Sequence, residues 1–245
     1  MAKTVVAQDE RKRRRQTKQG TVLTHQLIVE TALRMLHEHG AKGLTARCLG
    51  VALGADASTV YRYYSGMDDL VLAIADELMS RAMERWRPTG DWSADLRDLG
   101  LRIHSAYVAH PQAAVLTANR VSGRPHEVAA DEAILGLLRD AGFPDRTAVR
   151  IYHVFIDQSL AFAALDAASI AMPEAARHAD EEVWKATYAE LPEQTHPHIA
   201  ATVGLLVERM NLSAYPAALD MLLAAAGAEA REIAAGVLSP PPTAI

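Results

Sequence analysis

The chain has 245 residues and a mass of 26.5 kDa, with half of its residues hydrophobic and only 5% aromatic. That is enough for one large domain or two small ones, and too apolar for a disordered chain. The formal charge of −5 is unevenly divided: residues 1–66 carry 11 Lys/Arg against 5 Asp/Glu, and the remaining 179 carry 14 against 25.

A single cysteine, Cys48, excludes an internal disulfide framework. No cationic-then-apolar leader opens the chain, which predicts a cytosolic protein. The apolar stretches Leu160 to Met172 and Ala217 to Ala228 are interrupted by Asp166 and Asp220. Both fall short of the roughly 18 to 20 residues of a membrane span, so no crossing is expected. Alanine dominates the apolar fraction and Val/Ile/Thr alternation is scarce, which predicts an all-α fold.

The positive amino-terminal third would attract a polyanion, either nucleic acid or an anionic membrane. Arg11 to Arg15 taken alone reads equally well as a solvated tail. Residues 1–22 are basic and lack an apolar period, which predicts a disordered arm. Helix follows from near Thr24, with Ile28, Ala32, Met35 and Leu36 on one face and Gly40 and Gly43 as the stop. Thr45 caps a short second helix, about Ala46 to Leu53, ended by Gly54. Asp56 caps a third through Tyr63. The tetrad Ser65-Gly66-Met67-Asp68 has the form of a capping box for a long fourth helix reaching about Arg87. Pro88-Thr89-Gly90-Asp91 then punctuates the chain, dividing a first part, 23–87, from a second domain, 88–238.

Further helices are predicted over about Ser93 to Ala109, a short one to Ala118, His126 to Ala141, Asp145 to Ala168 with Asp145 as cap, Pro173 to Leu191, Pro197 to Met210 and Ser213 to Ala235. The 145–168 segment is apolar nearly all round, so it is central to its own bundle or shared with a second chain. Pro240-Pro241-Pro242 marks a loose end.

Two short helices joined by a tight turn, in the basic third, are what a helix-turn-helix reader of double-stranded DNA requires. Ser58 and Thr59 are small enough to enter the major groove. Tyr61, Arg62 and Tyr63 are longer donors, and Lys42, Thr45 and Arg47 are placed to hold the flanking backbone. The plain alternative is a helical hairpin with Tyr61 or Tyr64 in the core.

The run Gly43-Leu44-Thr45-Ala46-Arg47-Cys48-Leu49-Gly50-Val51-Ala52-Leu53-Gly54, then Ser58-Thr59-Val60-Tyr61-Arg62-Tyr63-Tyr64 and Asp68-Asp69-Leu70, closely resembles the DNA-binding domain of the tetracycline-repressor (TetR) family. The likeness covers about Leu23 to Leu78. It implies an all-α chain with a helix-turn-helix domain and a carboxy-terminal ligand-binding and dimerisation bundle. It also implies a homodimer on a palindromic operator, repressing a gene until a small molecule binds, with no enzymatic role. In this family, positions matching Thr45, Tyr61 and Tyr63 often touch phosphate, and those matching Ser58, Thr59 and Arg62 tend to meet bases. Met67 stands where the family commonly has lysine, and Tyr63 where it has histidine. The arm at Arg11 to Arg15 would offset the missing helix-4 phosphate donor.

Polar residues embedded in apolar helical faces are the candidate ligand contacts: His104, Tyr107, Asn119, Arg120, His153, Asp157, Gln158 and Trp184. His153 and Asp157, at i and i+4, would pair with each other or across a dimer interface, orient a ligand, or join His104 around a metal. A Met/Ala-rich lining suits a hydrophobic effector. Dimerisation is expected through the 145–168 and 213–235 helices. His196-Pro197-His198 and His37/His39 lack the companions of a zinc site, so neither metal nor cofactor is expected. Cys48 reads as a buried, inert thiol or an oxidation-sensitive one.

Two other readings stand beside the repressor. One is an all-helical enzyme with a His104/His153/Asp157 acid-base or metal site, although the nucleophile elbow, P-loop, Rossmann and HExxH patterns are all missing from the sequence. The other is a regulator of the same architecture without a small-molecule ligand.

Overall fold

A computed structural model describes residues 22–236. The expectations for the basic arm, except its last residue, and for Pro240 to Pro242 lie outside them. Among the described residues there are eleven α-helices and no strand. Contacts divide the chain into two compact units, one ending at Leu70 and the other beginning at Val71. The division therefore falls in the first turn of the fourth helix, upstream of the Pro88 punctuation.

In the first unit, α1 (His25–Gly43) opens where the Thr24 side chain accepts the Leu27 N–H at 3.1 Å. It buries Ile28, Ala32, Met35 and Leu36, with Val29 and Leu33 beside them, and is kinked at Gly40, whose φ is 65°. Thr45 caps α2 (Ala46–Ala52) by accepting the Cys48 N–H at 3.2 Å. The third helix is shorter than its sequence suggests. α3 covers only Ala57–Val60, and the chain continues to Tyr63 in three-residue turns, Arg62 N to Thr59 O and Tyr63 N to Val60 O. Asp56 occupies the cap position of α3, but its carboxylate makes no capping hydrogen bond there.

α4 (Met67–Met83) begins with a reach-back shifted by one residue from the expected box: Asp69, not Asp68, accepts both the N–H and the hydroxyl of Ser65. It ends at Met83, four residues before Arg87, and Arg85 at φ 57° turns the chain away from the helix.

The second unit continues with α5 (Trp92–Val108), α6 (Pro111–Thr117), α7 (Pro125–Asp140), α8 (Asp145–Ala171), α9 (Glu174–Ala189), α10 (Pro197–Arg209) and α11 (Tyr215–Ala234). α8 is its axis and packs on α5, α6, α7 and α11. Its buried face is Ala148, Ile151, Phe155, Ser159, Ala163 and Ala167, while Val149, Val154, Leu165 and Ile170 stay exposed. Asp145 does not cap it: Pro144 takes that position without a side-chain bond, and Asp145 pairs with Arg139 at 2.9 Å.

Because the helix runs unbroken through Asp157 and Asp166, α8 is long and apolar enough by length and composition to cross a membrane. Its packed face is what the core helix of a bundle presents. α9 and α10 pack on each other and bury no residue.

Candidate nucleic-acid interface and ligand cavity

The helix-turn-helix is held by two glycines with different roles. Gly54 takes φ 64° in the turn, a left-handed conformation costly for other residues. Gly50 lets the turn lie against α2: a Cβ there would sit 2.9 Å from the Ala55 carbonyl oxygen and 3.0 Å from the Ala57 nitrogen. The Gly50 carbonyl in turn accepts the Ala55 N–H at 2.9 Å. This close approach leaves Lys42, Thr45, Arg47, Ser58, Tyr61 and Arg62 exposed, with Thr59 and Tyr63 half-buried. Thr45 uses an oxygen lone pair for its cap, so its O–H remains able to donate.

The aromatic run after α3 separates into distinct roles. Tyr61 is 52% exposed, while Tyr64 is buried at 2%. The hydroxyl of Tyr63 donates to the Leu23 carbonyl at 2.8 Å, and the His25 ring meets both Tyr63 and Tyr64 edge-on at about 5 Å. Tyr63 and Tyr64 thus fasten the entry of α1 to the turns that follow α3, and Tyr61 is left facing outward. Cys48 is an exposed free thiol on α2, not a buried one, because it lies on the face of that helix opposite Leu49 and Gly50, which are buried.

The second unit contains a cavity of about 330 Å³ between α4, α5, α7, α8 and the α6–α7 loop. Its lining brings together five of the sequence-derived ligand candidates: Tyr107, Asn119, Arg120, His153 and Asp157. Ala75, Met79 and Tyr107 of the lining are buried, whereas His153, Asp157 and Asn119 are exposed. The lining is less apolar than a Met/Ala-rich composition suggests, since nine of its fifteen residues have polar side chains.

Carboxylates shape this wall. Glu127 accepts from the N–H and hydroxyl of Ser122 and the N–H of Gly123, which pins the α6–α7 loop to α7. Asp131 accepts the Tyr152 hydroxyl at 2.7 Å. Burial, then Glu127, raises the Asp131 carboxyl above its ordinary range against the opposing pull of Tyr152 and His153. The phenols are pushed up as well: Tyr107 by burial, Glu127 and Asp76, and Tyr152 by burial, Asp131, Glu127 and Asp157. Behind the cavity, the Asp76 carboxylate on α4 accepts the backbone N–H of His126 and Glu127, and its second oxygen lies 2.9 Å from His126 Nδ1. Asp76 therefore caps α7 from another helix, through the first turn where anionic groups are favoured.

The other candidates lie elsewhere. His104 pairs with Asp166 at 2.7 Å and stacks on Tyr215, with ring centroids 4.7 Å apart and planes at 12°. Tyr215 is fully buried and shares a 2.7 Å hydrogen bond with Ser159, and burial lifts its phenol to about 12 against the lowering effect of that bond. Gly100 makes room for it, since a Cβ there would lie 2.6 Å from the Tyr215 oxygen. This α5–α8–α11 polar network accounts for His104 without a ligand, and His104 is not part of the lining that includes His153 and Asp157.

No hydrogen bond or ion pair joins His153 to Asp157 among the described residues. Nor does any group of three or more His, Cys, Asp or Glu there converge as a metal site. Trp184 stacks on Tyr188 at 4.0 Å in α9 and lines a separate cleft with Leu206 of α10. The Gln158 side-chain oxygen is buried without a partner, and Gln158 does not line the cavity. Sequence reasoning missed Glu127, Asp131 and Tyr152. The i, i+4 acids of α7 were the available signal, but their meeting with Tyr152 depends on the α7–α8 packing.

A helix-turn-helix unit followed by a helical bundle that encloses a mixed cavity defines the class of two-part, all-helical regulatory proteins. The profile of bacterial regulatory proteins of the tetR family matches residues 28–74, and that of the tetracycline repressor-like C-terminal domain matches 86–229. The chain belongs to the TetR family.

It is 26% identical over 129 residues to an HTH-type transcriptional regulator of Saccharopolyspora erythraea, covering 53% of this chain and 55% of that one. The matches span about half the length of such curated relatives. A possible TetR family transcriptional regulator from Streptomyces coelicolor has a similar structure, with TM-score 0.71 and 26% identity over 84% of this chain and all of that one. ActR from the same organism, in complex with actinorhodin, shares the fold with TM-score 0.72 and 20% identity over 86% and 99% of the two chains.

Proposed function

We propose that this protein is a homodimeric transcriptional repressor that binds a palindromic operator through α2 and α3 and leaves it when a small molecule enters the α4–α8 cavity. The observation that carries this reading is the Gly50 contact, which sets α3 tightly against α2 while keeping Ser58, Tyr61 and Arg62 exposed as donors. Ser58, Thr59 and Arg62 read bases, and Lys42, Thr45, Arg47 and Tyr61 hold phosphates, while the Tyr63 hydroxyl, expected from the resemblance to touch phosphate, is engaged by the Leu23 carbonyl. The exposed Val149, Val154, Leu165 and Ile170 of α8 and Met221 of α11 are the apolar surface by which a second copy docks. Such a protein acts in the cytoplasm, where its DNA is.

Release follows from α4. Ala75 and Met79 form cavity wall, and Asp76 between them anchors the start of α7. The helix is continuous back to Met67, directly after the recognition segment. A ligand that shifts this wall tilts α4, and the two recognition segments of the dimer then miss successive major grooves about 34 to 36 Å apart. A coupling of about 1 to 3 kcal/mol is sufficient for a useful response. Actinorhodin bound to ActR is precedent in a chain of the same fold.

The test is selection of duplexes from a random pool, followed by gel shift against salt. Affinity falling by several orders of magnitude between about 50 and 200 mM supports phosphate neutralisation. A monomer that retains no duplex at low salt defeats the reading. The enzyme alternative loses its proposed site, because His104 is committed to Asp166 and Tyr215.

A further inference from the structure

We infer that the α4–α8 cavity selects an amphipathic organic cation, whose apolar body lies on Met79, Ile156 and Leu160 and whose ammonium lies between Asp131 and Asp157. This rests on the reading of that cavity as the effector site, and it replaces a purely hydrophobic effector with one of definite charge.

Three carboxylates, Glu127, Asp131 and Asp157, line the cavity against one guanidinium, Arg120, and one imidazole, His153, so its formal charge is negative with the imidazole neutral and still not positive with it protonated. The carboxylates differ in how far they are satisfied. Glu127 is occupied by three donors of the α6–α7 loop, and Asp131 receives one hydroxyl, from Tyr152. Asp157 is exposed on the cavity lining. Two phenol rings, Tyr107 and Tyr152, also line it, and aromatic faces attract organic cations in addition to giving apolar contact. The upward displacement of the Asp131 carboxyl and of both phenols has a common cause besides burial, the surrounding negative charge, which a bound cation would relieve.

Among the described residues no group of three or more His, Cys, Asp or Glu is placed to hold a metal ion. Negative potential spread over a cavity of about 330 Å³, with aliphatic wall beneath it, suits a bulky, weakly hydrated cation, not a metal ion.

The experiment is titration calorimetry of the full chain with three probes of matched shape: naphthylethyl-trimethylammonium, naphthylethanol and naphthylacetate. The cation is expected to bind at least about tenfold more tightly than the alcohol, and the anion most weakly. Asp157→Asn and Asp131→Asn should each cut cation affinity several-fold and leave the alcohol unchanged. Glu132→Gln, an exposed carboxylate on α7 outside the lining, should change neither. Thermal unfolding of each variant separates misfolding from weakened recognition.

Equal affinity for cation and alcohol, or cation binding indifferent to both Asp substitutions, overturns the charge selection while leaving the cavity as an effector site. If no probe binds and the chain still holds its operator, the effector reading fails with it.

Discussion

Nδ1 of His126 lies 2.9 Å from the carboxylate of Asp76, a residue fifty positions earlier in the chain, and the same carboxylate also accepts the backbone N–H of His126 and Glu127. One side chain of α4 thus secures both the start of α7 and, through Glu127, the edge of the cavity. Asp76→Asn is expected to cost about 1 to 2 kcal/mol and to lower Tm by about 2 to 8 °C. It should also weaken the release of DNA by ligand. His126→Ala leaves the two backbone bonds in place and should cost less. Calorimetry of both variants decides the order, and an unchanged Tm for Asp76→Asn would remove the anchor.

The adjoining tyrosines should respond in opposite ways. Tyr61→Phe removes an exposed hydroxyl and is expected to weaken operator binding about three- to tenfold at unchanged Tm. Tyr63→Phe removes the donor to the Leu23 carbonyl and should cost about 1 kcal/mol of stability. Gel shift and thermal melts on the same preparations read both, and the reverse pattern would overturn the division of roles.

Residues 1–21 carry seven of the chain's Lys/Arg. Deleting them should make the slope of log affinity against log salt shallower by up to about 0.9 for each phosphate that they neutralise. A slope identical to that of the full chain would assign duplex binding to the helix-turn-helix alone.

Two aspartates predict opposite acid behaviour. Burial opposes ionisation of Asp95, but hydrogen bonds from the hydroxyl and N–H of Thr89 and from the N–H of Gly90 outweigh it and hold the carboxyl below the ordinary 3.8. Its stabilisation is therefore complete above that value and lost as pH falls through the lower folded one. Asp95→Asn should be destabilising at neutral pH, by a margin that closes in acid. The Asp131 carboxyl is raised, chiefly by burial, so its ionisation costs stability above the folded value and protonation relieves the cost. Asp131→Asn should hold or raise Tm at neutral pH, with the gain shrinking as pH falls. Melting curves from pH 3 to 8 test both signs.

The local features of the fold are legible in the sequence. Thr45 as a cap, Gly54 as a turn and the Ile28/Ala32/Met35/Leu36 stripe depend on neighbours within a few positions, where capping and periodicity act. Tyr107, Asn119, Arg120, His153 and Asp157 stand out because polar groups in apolar helices need a reason. What they face is not legible. The link from Asp76 to His126, and that from His104 to Asp166, bridge 50 and 62 residues, and only tertiary packing creates them. The same packing gives Asp131 a partner in Tyr152, which the sequence places among apolar residues of α8.

The hairpin of α9 and α10 buries nothing of its own, although Val183, Leu205 and Leu206 are apolar. Paired helices of 16 and 13 residues that bury no residue draw little stability from packing. This stretch is therefore where a protease would cut first.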